Sequence, residues 1–127
     1  MKSQIILCSG GARSGKSEFA ERLALATEGR KAYVATGQAF DDEMVDRIKK
    51  HQERRGNIWT NFEIPLYLAE EWQHISSVAD VILIDCLTMF TTNHMMAHGS
   101  IQGQQDANRL EDTVLSELEA LLNLIKV

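Results

Sequence analysis

Gly10-Gly11-Ala12-Arg13-Ser14-Gly15-Lys16-Ser17 is the stretch around which the other 119 of the 127 residues are read. The spacing is G-x-x-x-x-G-K-[ST], the pattern of a loop that cradles phosphates with its backbone amides. Gly10 and Gly15 can adopt positive φ at no steric cost, which lets successive N–H groups turn inward around an anion. Lys16 brings a positive charge to the β- and γ-phosphates, and the Ser17 hydroxyl is a ligand for Mg²⁺. A helix that begins here also points the positive end of its dipole at the same phosphates.

Working outward, the apolar run Gln4-Ile5-Ile6-Leu7-Cys8 reads as a buried strand entering the loop. On the other side Phe19, Ala20, Leu23 and Ala24 recur at helical spacing, which predicts a helix over about residues 16–26 that ends near Gly29. Lys31-Ala32-Tyr33-Val34-Ala35 then completes a βαβ unit. Thr36-Gly37-Gln38 leaves that strand at its carboxyl end, where ligands of parallel sheets collect.

Residues 41–55 turn helical again, with Asp41, Asp42 and Glu43 in the first turn, where the dipole favours negative charge. Met44, Ile48 and His51 fall on one stripe, so the histidine is expected on an apolar face. Residues 58–64 suit a short strand halted before Pro65, and residues 66–75 suit a helix. Val81-Ile82-Leu83-Ile84 has the composition of a central parallel strand and ends in Asp85. A carboxylate there can either support Mg²⁺ or cap the next helix. Residues 87–97 are predicted helical. His94 and His98 have a metal-compatible spacing but no third ligand, so they are read as ordinary helix or loop residues. Residues 99–105 read as loop. Asp106 then opens a helix striped with Leu110, Val114, Leu118, Leu121, Leu122 and Ile125.

One domain of residues 1–127 is expected, α/β in class, with the three-layer fold of phosphate-loop NTPases and a mostly parallel central sheet. The βα alternation stops at the last helix, so the fold is read as incomplete at the C-terminus. The formal charge of −5 argues against a nucleic-acid partner. No apolar run reaches the length of a membrane span. Two cysteines, Cys8 and Cys86, lie near strand-like runs and suggest reduced core thiols in a cytoplasmic protein.

With Gly10–Ser17, Ala35-Thr36, Asp41-Asp42-Glu43-Met44, Arg47-Ile48, His51, Trp59 and the strand ending in Asp85 assembled, a resemblance emerges. The chain resembles the bifunctional adenosylcobinamide kinase/adenosylcobinamide-phosphate guanylyltransferases of cobalamin biosynthesis. G-G-A-R-S-G-K-S and an A-T-x-x-x-D-D-E-M segment followed by R-I-x-x-H carry the likeness. It spans essentially the whole chain but only the N-terminal two-thirds or so of the family pattern.

The resemblance implies that a nucleoside triphosphate, ATP or GTP, phosphorylates the aminopropanol hydroxyl of adenosylcobinamide. GTP then donates GMP to that phosphate through a guanylyl-histidine, with Mg²⁺ as cofactor. It implies His51 as the nucleophile, although spacing alone would read this residue as packing. Nucleotide contacts are implied at Gly10, Gly11, Ala12, Arg13, Ser14, Gly15, Lys16 and Ser17, and at Ala35, Thr36 and Gly37. They are implied also at Gln52, Glu53, Arg54, Arg55, Glu63 and Asp85, with Ser17 and Asp85 toward the metal. Asp85 stands where some members carry glutamate, and Gly37 where serine is frequent. A corrinoid and a nucleotide are the implied partners, and a homotrimer the implied assembly. Three other readings compete: a small-molecule kinase without a histidine intermediate, a guanine-nucleotide switch, and an inactive fragment of the enzyme. Against the switch, no N-K-x-D segment is present.

Overall fold

The computed structural model describes residues 3–11, 14–37, 41–97 and 103–125. In chain order these form α1 (Lys16–Ala26), β1 (Lys31–Ala35), α2 (Asp42–Arg55), β2 (Trp59–Glu63), α3 (Leu68–Val78), β3 (Val81–Asp85), α4 (Leu87–Ala97) and α5 (Gly103–Leu124). A 3-10 turn over Gly56–Ile58 leads from α2 into β2. The sheet is parallel and open, with order β2-β1-β3. Ala35 is level with Glu63 on one side and Asp85 on the other, so the three carboxyl ends finish flush. From β1 the chain crosses to one neighbour and then jumps back past β1 to the other. The topological switch point therefore lies at the end of β1, where ligands bind in open α/β sheets.

Alternation along the strands assigns the two faces. Ala32 and Val34 point into the larger core, where Leu68 and Ile75 of α3, Phe90 of α4 and Leu121 of α5 close over them. Leu68, Ile75 and Phe90 are fully buried, each worth about 1.5–3 kcal/mol. Tyr33, Trp59 and Leu83 point the other way and meet Ala20 and Ala24 of α1. The result is three layers: α1, the sheet, and α3 with α4 and α5.

At the amino ends of the strands, Arg30 forks onto Asp80, with Nε and Nη2 each 3.1 Å from one carboxylate oxygen. The Arg30 amide donates to the same carboxylate at 2.9 Å, and the amides of Asp80 and Val81 donate back to the Arg30 carbonyl. Gly29 makes the turn into β1 at φ 124°, and a Cβ there would meet the Asp80 Cβ at 2.9 Å. At the other end of the sheet, Tyr67 adopts φ 55° before α3 and supplies no side-chain cap. Glu117 of α5 replaces it, accepting from the Ala69 amide at 2.9 Å. This long-range bond starts α3 at Leu68 rather than at residue 66.

Four expectations are corrected. Residues 4–8 form no ladder: Ile5, Ile6 and Leu7 are 49%, 57% and 76% exposed. Composition tells that such a run favours burial, but a strand exists only where a sheet edge accepts it, and the described sheet ends at β3. Gly103, Gln104 and Gln105, expected in a loop, are the first turn of α5. Leu122 lies off the buried stripe, 54% exposed, because the stripe through Leu110 and Leu121 turns it outward. Cys8 and Cys86 are free, as expected, but each is only partly buried rather than in the core.

Candidate functional site

The phosphate loop opens α1 as its sequence requires. Gly15 takes φ 83° in the left-handed region immediately before the helix, and α1 has no side-chain cap at this end. Its first amides are therefore available to an anion. The loop closes on itself, with the Ser14 amide and the Lys16 ammonium both donating to the Gly11 carbonyl at 3.2 Å. A Cβ on Gly10 would lie 2.5 Å from Ser14 Oγ, so a larger residue there would turn that hydroxyl aside. Ser17 is exposed at the first turn of α1. Ala12 and Arg13 lie outside the described residues.

α1 returns to β1 through residues 27–30 and so runs opposite to the strands. Its N-terminus with the loop thus faces the carboxyl edge of the sheet. On that edge Thr36 is fully buried, at the switch point. Its hydroxyl donates to the Cys86 carbonyl at 2.6 Å and accepts from the Cys86 amide at 2.9 Å. Its carbonyl accepts from Asn93 Nδ2 at 2.6 Å, and the same amide group reaches the Pro65 carbonyl at 3.1 Å. Asn93 of α4 therefore staples the exits of β1 and β2 together. Ala35 and Gly37 flank Thr36, both half-buried.

Strand parity puts Tyr33, Asn61, Glu63 and Asp85 on the α1 face. The Tyr33 hydroxyl donates to Asp85 Oδ2. Burial above all, and then this bond, push the phenol well above its usual pKa, so it remains a donor at neutral pH. Glu63 is exposed at the end of β2 and accepts from Gln52 Nε2 at 3.4 Å. The Arg55 guanidinium stacks 3.7 Å over the Tyr33 ring, and its Nε and Nη2 donate to Asn61 Oδ1 at 3.1 and 2.9 Å.

α2 begins at Asp42, one residue after its expected start, because Asp41 is its cap, the carboxylate accepting from the Met44 amide at 2.8 Å. Its middle is tied only to itself among the described ion pairs, Arg47–Glu43 at 3.8 Å and Lys50–Asp46 at 3.0 Å. The apolar stripe is a weak one: Met44 and Ile48 are half-buried, no α2 residue is fully buried, and His51 is exposed. This corrects the expectation of a histidine on a packed face, since α2 lies outside the core that would have covered it. Glu53 and Arg54 are likewise exposed.

Sequence reasoning missed Tyr33, Asn61 and Asn93. Parity was the available signal for the first two, which lie two positions before Ala35 and Glu63 on the same face. For Asn93 it was an amide inside an otherwise apolar helix. His94 is fully buried between Phe90 and Tyr67, ring edge to ring face, in keeping with a packing role; His98 lies outside the described residues. Among the described residues no three His, Cys, Asp or Glu side chains cluster as a metal cage. Mg²⁺ does not require one, because it is commonly held by one or two protein oxygens together with phosphates and water. Ser17, exposed at the first turn of α1, and Asp85, on the sheet face that α1 covers, each carry such an oxygen. No helix among the described residues is long and apolar enough to cross a membrane.

A phosphate-loop sequence opening the first helix beside an open parallel sheet is the layout of α/β proteins of phosphate-loop type. Residues 6–126 match the family model described as cobinamide kinase / cobinamide phosphate guanyltransferase, and the chain belongs to that family. It is 40% identical over 119 residues to the bifunctional adenosylcobalamin biosynthesis protein CobP of Pseudomonas aeruginosa, covering 94% of this chain and 62% of that protein. The similarly named CobU proteins of Salmonella typhimurium and Escherichia coli are 35% and 32% identical over 127 residues, covering 93% of this chain and 66% of each. The chain thus spans slightly less than two-thirds of the length of these relatives.

Proposed function

We propose that this chain acts in the two transfers its family name describes: phosphorylation of a cobinamide, then transfer of GMP from GTP to the resulting phosphate. What supports the proposal is that Glu63 and Asp85 end β2 and β3 level on the α1 face, where the C-terminal end of the His51 helix reaches Glu63, beside the helix that the phosphate loop opens. Gly10, Gly11, Gly15 and Lys16 hold the phosphates through amides and charge. Ser17 and Asp85 would hold Mg²⁺, which would supply positive charge to the phosphates. Glu63 suits guanine, because a carboxylate accepts from both N1–H and the 2-amino group, a donor pair that adenine lacks.

In the kinase step the substrate hydroxyl oxygen bonds to the γ-phosphorus as the β–γ bridge breaks, and the hydroxyl proton passes to solvent. In the second step a neutral His51 nitrogen attacks the α-phosphorus of GTP. An N–P bond forms, the α–β bridge breaks and pyrophosphate leaves. A phosphate oxygen of the phosphorylated cobinamide then attacks the same phosphorus, the N–P bond breaks, and the imidazole is regenerated. The exposure of His51 supports this role, since two substrates must reach it in turn. Incubation with α-labelled GTP should leave an acid-labile, alkali-stable label on wild type and none on His51→Ala. Equal labelling of the two proteins assigns the nucleophile elsewhere.

A further inference from the structure

α2 has no fully buried residue, so what fixes its orientation is the set of contacts at its C-terminal end. Among the described side-chain bonds, two tie that end to the sheet: Gln52 to Glu63 at 3.4 Å and Arg55 to Asn61 at 3.1 and 2.9 Å. The second is the better built. Arg55 is half-buried, forks onto a single amide oxygen, and lies flat on the Tyr33 ring at 3.7 Å. The ring in turn is wedged edge-on against buried Trp59, with centroids 5.7 Å apart. His51 and Arg55 are four residues apart, so they share one helix face. Whatever seats Arg55 also aims His51. The opposite end of the same phenol donates to Asp85.

We infer that Tyr33 is a positioning residue, its ring seating Arg55 and its hydroxyl holding Asp85, so that one side chain registers the His51 face of α2 against the carboxyl edge of the sheet. This rests on the proposed role of His51. It also gives Arg55 a task other than phosphate contact: the stacked fork is committed to the sheet, and the arginine works as the anchor of a helix with no fully buried residue. Lysine is not equivalent in that seat, because an ammonium neither stacks as a plane nor forks onto one oxygen.

Arg55→Lys, which keeps the charge, and Tyr33→Leu, which removes the ring, separate this from the alternatives. Tyr33→Phe keeps the ring and removes only the hydroxyl. Amide hydrogen exchange across residues 52–55 of the full chain reads the anchor whether or not any GMP is transferred. Exchange should quicken about tenfold in Arg55→Lys and Tyr33→Leu, and stay at the wild-type rate in Tyr33→Phe. The rate of GMP labelling of His51 should fall on the order of ten- to a hundredfold in Arg55→Lys, the usual consequence of an ångström-scale misplacement, with GTP affinity held within about threefold. Arg55→Lys lies outside the sheet core and reads the anchor even where Tyr33→Leu does not fold. Unchanged exchange in Arg55→Lys overturns the anchor. Quickened exchange with a wild-type labelling rate overturns the positioning role. If wild type takes no label, the transfer reading fails, and the exchange data alone decide whether the seat exists.

Discussion

Asn93→Ala should destabilise the domain by about 2 kcal/mol, and the figure follows from the bonds that Asn93 makes. The side chain is 2% exposed and donates to the carbonyls of Thr36 and Pro65 at 2.6 and 3.1 Å. Two such bonds contribute about 0.5–1.5 kcal/mol each, and buried carbonyls stripped of a donor add to the loss. Asn93 Oδ1 has no hydrogen-bond partner among the described residues, so its removal gives back part of that cost. For a chain of this size about 2 kcal/mol corresponds to roughly 8 °C in Tm. Circular dichroism melts of wild type and Asn93→Ala measure it directly. The variant Asn93→Asp sharpens the test, because it keeps the shape and turns an oxygen toward both carbonyls. The introduced acid is then harder to ionise folded than unfolded. Its cost should therefore be smallest below about pH 4 and grow as the pH rises above the unfolded carboxylate value. A Tm within 2 °C of wild type for Asn93→Ala, or a pH-independent cost for Asn93→Asp, refutes the staple.

Two further outcomes are expected. The Arg30 side chain, and then its amide, hold the Asp80 carboxyl down at about 2. A depressed carboxylate stabilises the fold above its unfolded value of about 4, and that contribution is lost as pH falls through about 2. Melts between pH 5 and 1.5 should show a steeper acid decline for wild type than for Asp80→Asn, and parallel curves count against the clasp. Lys16→Ala should weaken GTP binding at least about tenfold by calorimetry, through the lost charge near the phosphates. Unchanged affinity removes the phosphate loop from the nucleotide site.

Locally coded features were legible in the sequence by itself. Gly15 and Lys16 announce the loop and the start of α1, and Gly29 the turn out of it. Asp41, Asp42 and Glu43 mark the start of α2, and the apolar runs at residues 31–35 and 81–85 are β1 and β3 to the residue. Each of these depends on backbone freedom, a nearby cap or short-range periodicity, all of which neighbouring residues supply. The resemblance likewise pointed to Thr36, Glu63 and Asp85, which the fold brings to one edge.

Which apolar segments found a partner was settled by contacts between distant parts of the chain. Residues 4–8 have the composition of a strand and no ladder, because pairing is settled by a distant edge. His51 sits on a stripe that spacing reads as buried, yet α2 packs outside the core. Glu117 starts α3 from a helix some fifty residues away, and Asn93 ties the strand exits at Thr36 and Pro65, which are 29 residues apart in sequence. The contact of Tyr33 with Asp85 and Arg55 arises only when β1 lies between β2 and β3 with their ends level. Hydrogen bonds and stacking act over a few ångströms in space, so they become visible only once the chain has brought these residues together.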